Sequence, residues 1–154
     1  MRIRLIWEGK TRDERLHALQ ADYAARISRF AELQIDEIPP ERGAVQRQKG
    51  QLSPAERRLL EKAGDGPKVA LDEQGREWNS QEFAAWMERQ AVSGTRAIAF
   101  LVGGPEGFSA AFRAQSDVLL ALSRMTLTRD WARALLLEQI YRSFTIQRGY
   151  PYPR

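Results

Sequence analysis

The chain has 154 residues, 43% of them hydrophobic and 29% charged, and no cysteine. That length buries about two thirds of the unfolded surface without covalent staples. The missing cysteine excludes a disulfide scaffold, thiol catalysis and thiolate-bound zinc. The formal charge of +4 is gathered at the C-terminal end. From Leu120 onward Arg124, Arg129, Arg133, Arg142, Arg148 and Arg154 stand against Asp130 and Glu138; six minus two is +4, so the first 119 residues sum to zero. A basic end fits an anionic partner such as nucleic-acid phosphate, or a solvated basic face. The longest apolar run, Ala97–Val102, is far below the ~20 residues of a membrane span. The opening MRIRLIWEGK has no apolar core long enough for a signal peptide. Both point to a cytoplasmic protein with no membrane partner.

Residues 2–7 (RIRLIW) alternate and predict a strand with one buried face. Residues 11–30 predict a helix with Leu16, Leu19, Tyr23, Ile27 and Phe30 on one face. A second alternating strand is expected over 33–38, closed by Pro39 and Pro40. Residues 40–52 (PERGAVQRQKGQL) are polar and basic and read as a loop or weak helix. Ser53, Pro54 and Glu56 spell a capping box, opening a helix that ends near Gly64.

Residues 67–72 (PKVALD) read as a short buried strand. Asn79 or Ser80 then caps a helix with Phe83, Trp86 and Met87 on one face, stopped by Gly94. Residues 97–102 (AIAFLV) are apolar on both faces, as a central parallel strand requires. A turn over 103–107 precedes a short helix capped by Ser109. Residues 118–122 form one more apolar strand, and a helix closes the pattern over about 130–146. Alternating strands and helices predict an α/β fold with a mostly parallel sheet flanked by helices, in a single domain over 1–154.

The segments with chemical content lie in the second half. "AFLVGGPEGF" runs a buried strand into a glycine-rich turn and a helix start. Open α/β sheets bind ligands outside such strand ends. The pattern is neither G-x-G-x-x-G nor a P-loop, and Glu106 puts a carboxylate where a phosphate would sit. It suits a ligand of cationic character, or is a turn chosen only for geometry. "ALSRMTLTRD" offers a small polar loop before a helix that Thr128 or Asp130 can cap. "WARALLLEQIYRSF" is apolar nearly all round, so it is buried on more than one side, against the sheet and against either its own core or a second subunit. The single histidine, His17, excludes a histidine-based metal site, and no metal is expected. Asp72 and Glu73 are adjacent, so on a strand end they point apart and make a poor acid–base pair.

"ALDEQGREWNSQEFA", "LVGGPEGF", "LSRMTLT" and "ARALLLEQIYRSFTIQRGYPY" occur in this order, with weaker support from "IRLIWEGK". Together they resemble the RlmH family of the SPOUT methyltransferase superfamily, over essentially the whole chain. The resemblance implies a SPOUT-type sheet with a deep C-terminal trefoil knot and a homodimer. It implies S-adenosyl-L-methionine as cofactor, left as S-adenosyl-L-homocysteine. The implied reaction methylates N3 of a pseudouridine in the subunit-interface stem-loop of large-subunit ribosomal RNA, in assembled ribosomes. The cofactor would be held by Leu71, by Gly103 and Gly104, and by Leu122, Ser123, Arg124, Met125, Thr126 and Leu127. Arg142, Tyr152 and Arg154 are the catalytic candidates on the substrate side, and the basic residues of the C-terminal end would face the RNA.

The chain departs from the family pattern at two places. Many members carry Pro-His where this chain has Thr128-Arg129, and a histidine where it has Pro153. Either the histidines are dispensable for methyl transfer, or another group serves as the base, or the chain is a ribosome- or RNA-binding protein that kept the fold and lost the chemistry. Glu138 is a further base candidate, or caps a buried polar network.

Overall fold

In a computed structural model, which describes residues 1–41 and 50–154, five strands form one parallel sheet. Most of the expected polar loop at 40–52 lies outside the described residues. The strands are β1 (Arg2–Glu8), β2 (Glu32–Ile38), β3 (Lys68–Glu77), β4 (Ala97–Val102) and β5 (Val118–Ala121). They lie in the order β2-β1-β4-β3-β5, and every neighbouring pair is parallel. The helices are α1 (Glu14–Ile27), α2 (Pro54–Ala63), α3 (Ser80–Val92), α4 (Ala110–Ala114) and α5 (Arg129–Arg148).

The alternation of side chains sorts the core into two layers. Ile3, Leu5 and Trp7 of β1 and Ile98, Phe100 and Val102 of β4 pack with Ile27, Phe83, Met87, Leu136, Ile140 and Phe144, beneath α1, α3 and α5. Ile6, Ala99 and Leu101 face the other way, onto Leu59, Ala63, Phe108 and Phe112 of the α2–α4 side. With both faces covered, β4 has no polar side, which is why its sequence runs apolar without a break.

The caps follow the sequence closely. Ser53–Glu56 and Asn79–Glu82 each form a reciprocal capping box. Ser109 caps α4 and Thr128 caps α5. Gly149 closes α5 at φ 65°, a left-handed conformation that glycine adopts without strain.

Three expectations need correction. On α1, Leu19 is exposed and Gln20 is buried. Gln20 accepts from Thr11 Oγ1 at 2.8 Å and donates to the Asp130 carbonyl at 3.0 Å, so a polar contact with the start of α5 fixes the inward face there. β3 does not stop at Asp72: Leu71 and Arg76 both pair with Leu120, and the residues between them bulge out of the ladder. Arg133 does not face outward with the other C-terminal arginines; it is 0% exposed.

The last helix is flanked on two sides, by α1 and α3. Its apolar residues are not all absorbed, however. Trp131, Leu135 and Ile146 remain exposed.

Candidate active site

A cavity of about 310 Å³ opens at the carboxyl ends of β4 and β5, against the middle of β3. Its first wall is the β3 bulge. Leu71, Asp72, Glu73 and Gln74 line it, while Gly75 crosses β5 so closely that a Cβ there would lie 2.5 Å from the Leu119 carbonyl carbon and oxygen. Asp72, whose side chain is 5% exposed, meets Arg113 Nε at 2.7 Å.

The second wall is the turn after β4. Gly103 and Gly104 both line the cavity. A Cβ on Gly103 would lie 3.0 Å from the Phe108 ring, and one on Gly104 would lie 2.6 Å from Glu8 Oε2. A side chain at Gly103 would press on the Phe108 ring, and one at Gly104 would have to displace the end of the Glu8 side chain.

The third wall is the loop between β5 and α5. Leu122, Ser123, Met125, Thr126 and Leu127 line the cavity. Ser123 Oγ accepts from the Met125 amide at 2.9 Å. Thr126 Oγ1 donates to Glu73 Oε2 at 2.9 Å, tying this loop to the β3 bulge. Arg129 and Ala132, in the first turn of α5, complete the lining.

Of the expected cofactor residues, Leu71, Gly103, Gly104, Leu122, Ser123, Met125, Thr126 and Leu127 all come together here. Arg124 does not line the cavity. It points out toward Glu77, 3.6 Å away, with its side chain 83% exposed. The carboxylates of the bulge, Phe108, Arg113 and Arg129 were not anticipated as lining. Gly75, inside β3, is a weak signal for the bulge wall, since Gly in a strand marks a bulge or a close approach.

The lining fits S-adenosyl-L-methionine. Leu71, Val102, Leu122 and Leu127 offer apolar surface for an adenine. The glycine turn offers backbone polar groups, and Glu73 and Glu106 offer anionic ones. Of the two arginines in the lining, Arg113 is engaged by Asp72 at 2.7 Å, and Arg129 stands at the start of α5. Among the described residues there is no group of His, Cys, Asp and Glu fit to hold a metal ion. Nor, among those residues, is any helix long and apolar enough to cross a membrane.

Arg142, Tyr152 and Arg154 also come together, but elsewhere. They line a groove of about 550 Å³ with Ser80, Gln139 and Tyr150. Arg142 grips Glu138 Oε1 through Nε and Nη2 at 3.0 and 2.6 Å and donates from Nη1 to the Pro153 carbonyl at 2.7 Å. Its guanidinium lies 4.5 Å over the Tyr152 ring, and the Tyr152 hydroxyl lies 2.8 Å from that of Tyr23. Burial, then the Tyr23 hydrogen bond, pushes the Tyr152 phenol well above its ordinary value. The tail is thus docked, with Glu138 as the partner that orients Arg142.

The two sites share no lining residue. Ala132 touches one and Arg142 the other, on the same helix. Ten residues at 1.5 Å rise separate them by about 15 Å.

The family described as "Predicted SPOUT methyltransferase" matches residues 1–153. A protein of Trichlorobacter lovleyi named ribosomal RNA large subunit methyltransferase H is 40% identical over 152 residues, covering 99% of both chains. One of the same name from a Geobacter species is 42% identical over 154 residues, covering 99% of this chain and 98% of the relative. Among solved structures, a probable methylase family protein from Haemophilus influenzae superposes with a TM-score of 0.56 at 15% identity, over 99% of this chain and 71% of that one. A putative methylase family protein from Neisseria gonorrhoeae gives 0.56 at 13% identity, over 99% and 85%. These last two share the fold; the family model and the full-length relatives carry more, and by them the chain belongs to the SPOUT methyltransferase family, among members named ribosomal RNA large subunit methyltransferase H.

Proposed function

We propose that this chain is a ribosomal RNA methyltransferase that uses S-adenosyl-L-methionine and methylates N3 of a pseudouridine in the subunit-interface stem-loop of large-subunit ribosomal RNA. It acts in the cytoplasm on assembled ribosomes, as a homodimer of single-domain chains whose C-terminal part is threaded through a trefoil knot. The observation that carries the reading is the three-walled cavity at the strand ends, lined by leucines, a glycine turn and the carboxylates of Glu73 and Glu106, in a chain of this family. Bound there, the cofactor supplies an electrophilic methyl on a sulfonium.

The rest falls to the protein. The cavity walls orient the donor and exclude water, so that positioning supplies much of the rate. N3 of the base must give up its proton to solvent as the methyl arrives. Arg142 and Arg154 are the cations that would stabilise the resulting anion, with Tyr152 and Glu138 holding Arg142 in place. They cannot reach the cavity of their own chain across about 15 Å of helix. The dimer answers this. At 100° per residue, Trp131, Leu135, Glu138, Arg142 and Ile146 fall within about 80° of one another on α5, and the apolar members of that stripe are exposed. A second copy covering it would place the tail cluster of one chain near the cavity of the other.

The test is methyl transfer from labelled S-adenosyl-L-methionine to intact ribosomes lacking the modification, with the labelled nucleoside identified. Label in N3-methylpseudouridine is expected. Ribosome binding without transfer would instead establish a chain that kept the fold and lost the chemistry; Thr128-Arg129 and Pro153, where many members carry histidines, favour that second reading.

A further inference from the structure

The glycine turn after β4 has a back as well as a front. Behind it lies a second cavity of about 200 Å³, whose lining includes Glu8, Glu41, Glu56 and the turn itself. Gly103, Gly104 and Glu106 line both cavities, so the wall between them is one backbone layer thick. Among the described residues no lysine or arginine lines the back cavity.

Glu106 belongs to the wall itself, and Glu8 is the carboxylate packed against its back. Its Oε2 occupies the space a Gly104 side chain would need, 2.6 Å from the position of that Cβ. Its Oε1 accepts from the Glu41 amide at 2.9 Å. Its backbone is held too, because the buried Arg133 donates to the Glu8 carbonyl at 2.7 Å. Glu56, by contrast, is spent on structure: it accepts from the Ser53 amide and from the amide and hydroxyl of Ser109, at 2.8–2.9 Å. Glu8 therefore presents a fixed negative charge to the back of the wall on whose front the cofactor would lie.

We propose that Glu8 is a specificity-determining residue that biases the front cavity toward the cationic sulfonium of the methyl donor and against the neutral thioether product. This rests on the reading of that cavity as a S-adenosyl-L-methionine site. A unit charge held across a single backbone layer, in surroundings less polarisable than water, acts at useful strength without touching the ligand. It acts on the one feature that separates donor from product, the charge on sulfur. The consequence is product release: once the methyl has left, the attraction is gone.

The experiment is calorimetric binding of S-adenosyl-L-methionine and S-adenosyl-L-homocysteine to the full chain and to Glu8→Gln. Glutamine keeps an acceptor for the Glu41 amide and removes the charge, with an NH2 in place of the second oxygen. The donor-over-product preference should fall by roughly five- to tenfold, with the melting temperature unchanged. A loss of affinity equal for both ligands makes Glu8 a mere strut and overturns the proposal while leaving the cofactor reading intact. No binding of either ligand to the folded wild-type chain overturns both. Should Glu8→Gln not fold, Glu8→Ala takes its place with the same two ligands, and a donor-over-product preference equal to that of wild type overturns the proposal.

Discussion

Arg133 offers the sharpest test of how the cavity is held. It is 0% exposed, lies 4.9 Å over the Trp7 ring, and donates to the Glu8 carbonyl at 2.7 Å and to Thr11 Oγ1 at 3.2 Å. Its nearest carboxylate contact, Asp130 Oδ1, is at 4.0 Å, so hydrogen bonds rather than a close ion pair hold it. Burial is the largest influence on its pKa and lowers it to about 10, which leaves the group cationic at neutral pH. Arg133→Met fills nearly the same volume but takes this donor from the Glu8 carbonyl, while the Thr11 hydroxyl keeps its bond to Gln20. An unsatisfied buried acceptor costs about 1–3 kcal/mol, and the lost stacking on Trp7 about 1–2 kcal/mol. The relief of an expensive buried charge returns part of this. The net expectation is a loss of about 2–3 kcal/mol in urea unfolding, or a melting point lower by about 4–12 °C. Arg133→Lys keeps the charge but has a single ammonium for two acceptors, and should fall between wild type and Met. If Met proves within 0.5 kcal/mol of wild type (about the scatter of a surface substitution), the buried guanidinium is not what ties β1 to α5.

Gly75→Ala should cost about 2–3 kcal/mol in the same assay, because its Cβ meets Leu119 backbone at 2.5 Å; Gly104→Ala should cost less, since it meets only the end of the Glu8 side chain. Ser109→Ala removes the α4 cap and one donor to the buried Glu56, for an expected loss of about 1–2 kcal/mol. The raised phenol of Tyr152 fixes a pH dependence. A folded-state pKa above the unfolded one gives stability that is present below the ordinary tyrosine value of 10.0 and is lost as pH climbs through the folded value. Wild type should therefore lose stability in that alkaline window, and Tyr152→Phe should lose less.

The sequence speaks clearly wherever one local rule decides the outcome. Both capping boxes follow from a Ser or Asn three residues before a Glu, and β4 from an apolar run. It falters where a long-range contact decides. Gln20 displaces Leu19 from the inward face because Thr11 and the Asp130 carbonyl are waiting for an amide. Arg133 looks like one more basic residue until Trp7 and Glu8 are brought beneath it. The β3 bulge depends on how β5 lies against it, which no spacing in "LDEQGRE" encodes. Two walls of the cavity, the glycine turn and the loop before α5, are legible as motifs; that Arg142, Tyr152 and Arg154 gather at the other end of α5 is not.

That separation leads to the most demanding prediction. If the tail cluster serves the cavity of a partner chain, a site needs Arg142 from one copy and an open cavity from the other. Arg142→Ala alone should be nearly inactive, and so should Leu122→Arg, which fills the cavity from the β5 side. Co-expressed in equal amounts, they pair at random, and about half the dimers are mixed. One of the two sites in each mixed dimer then carries no mutation, so the mixture should recover roughly a quarter of the wild-type rate on ribosomes. Adding Leu135→Asp to both chains puts an unpaired carboxylate into the covered stripe, and should weaken association by about two orders of magnitude and abolish the recovery. Ultracentrifugation checks the first effect and methyl transfer the second. Full activity from a chain that remains monomeric would refute the shared site, and with it the roles assigned to Arg142 and Arg154.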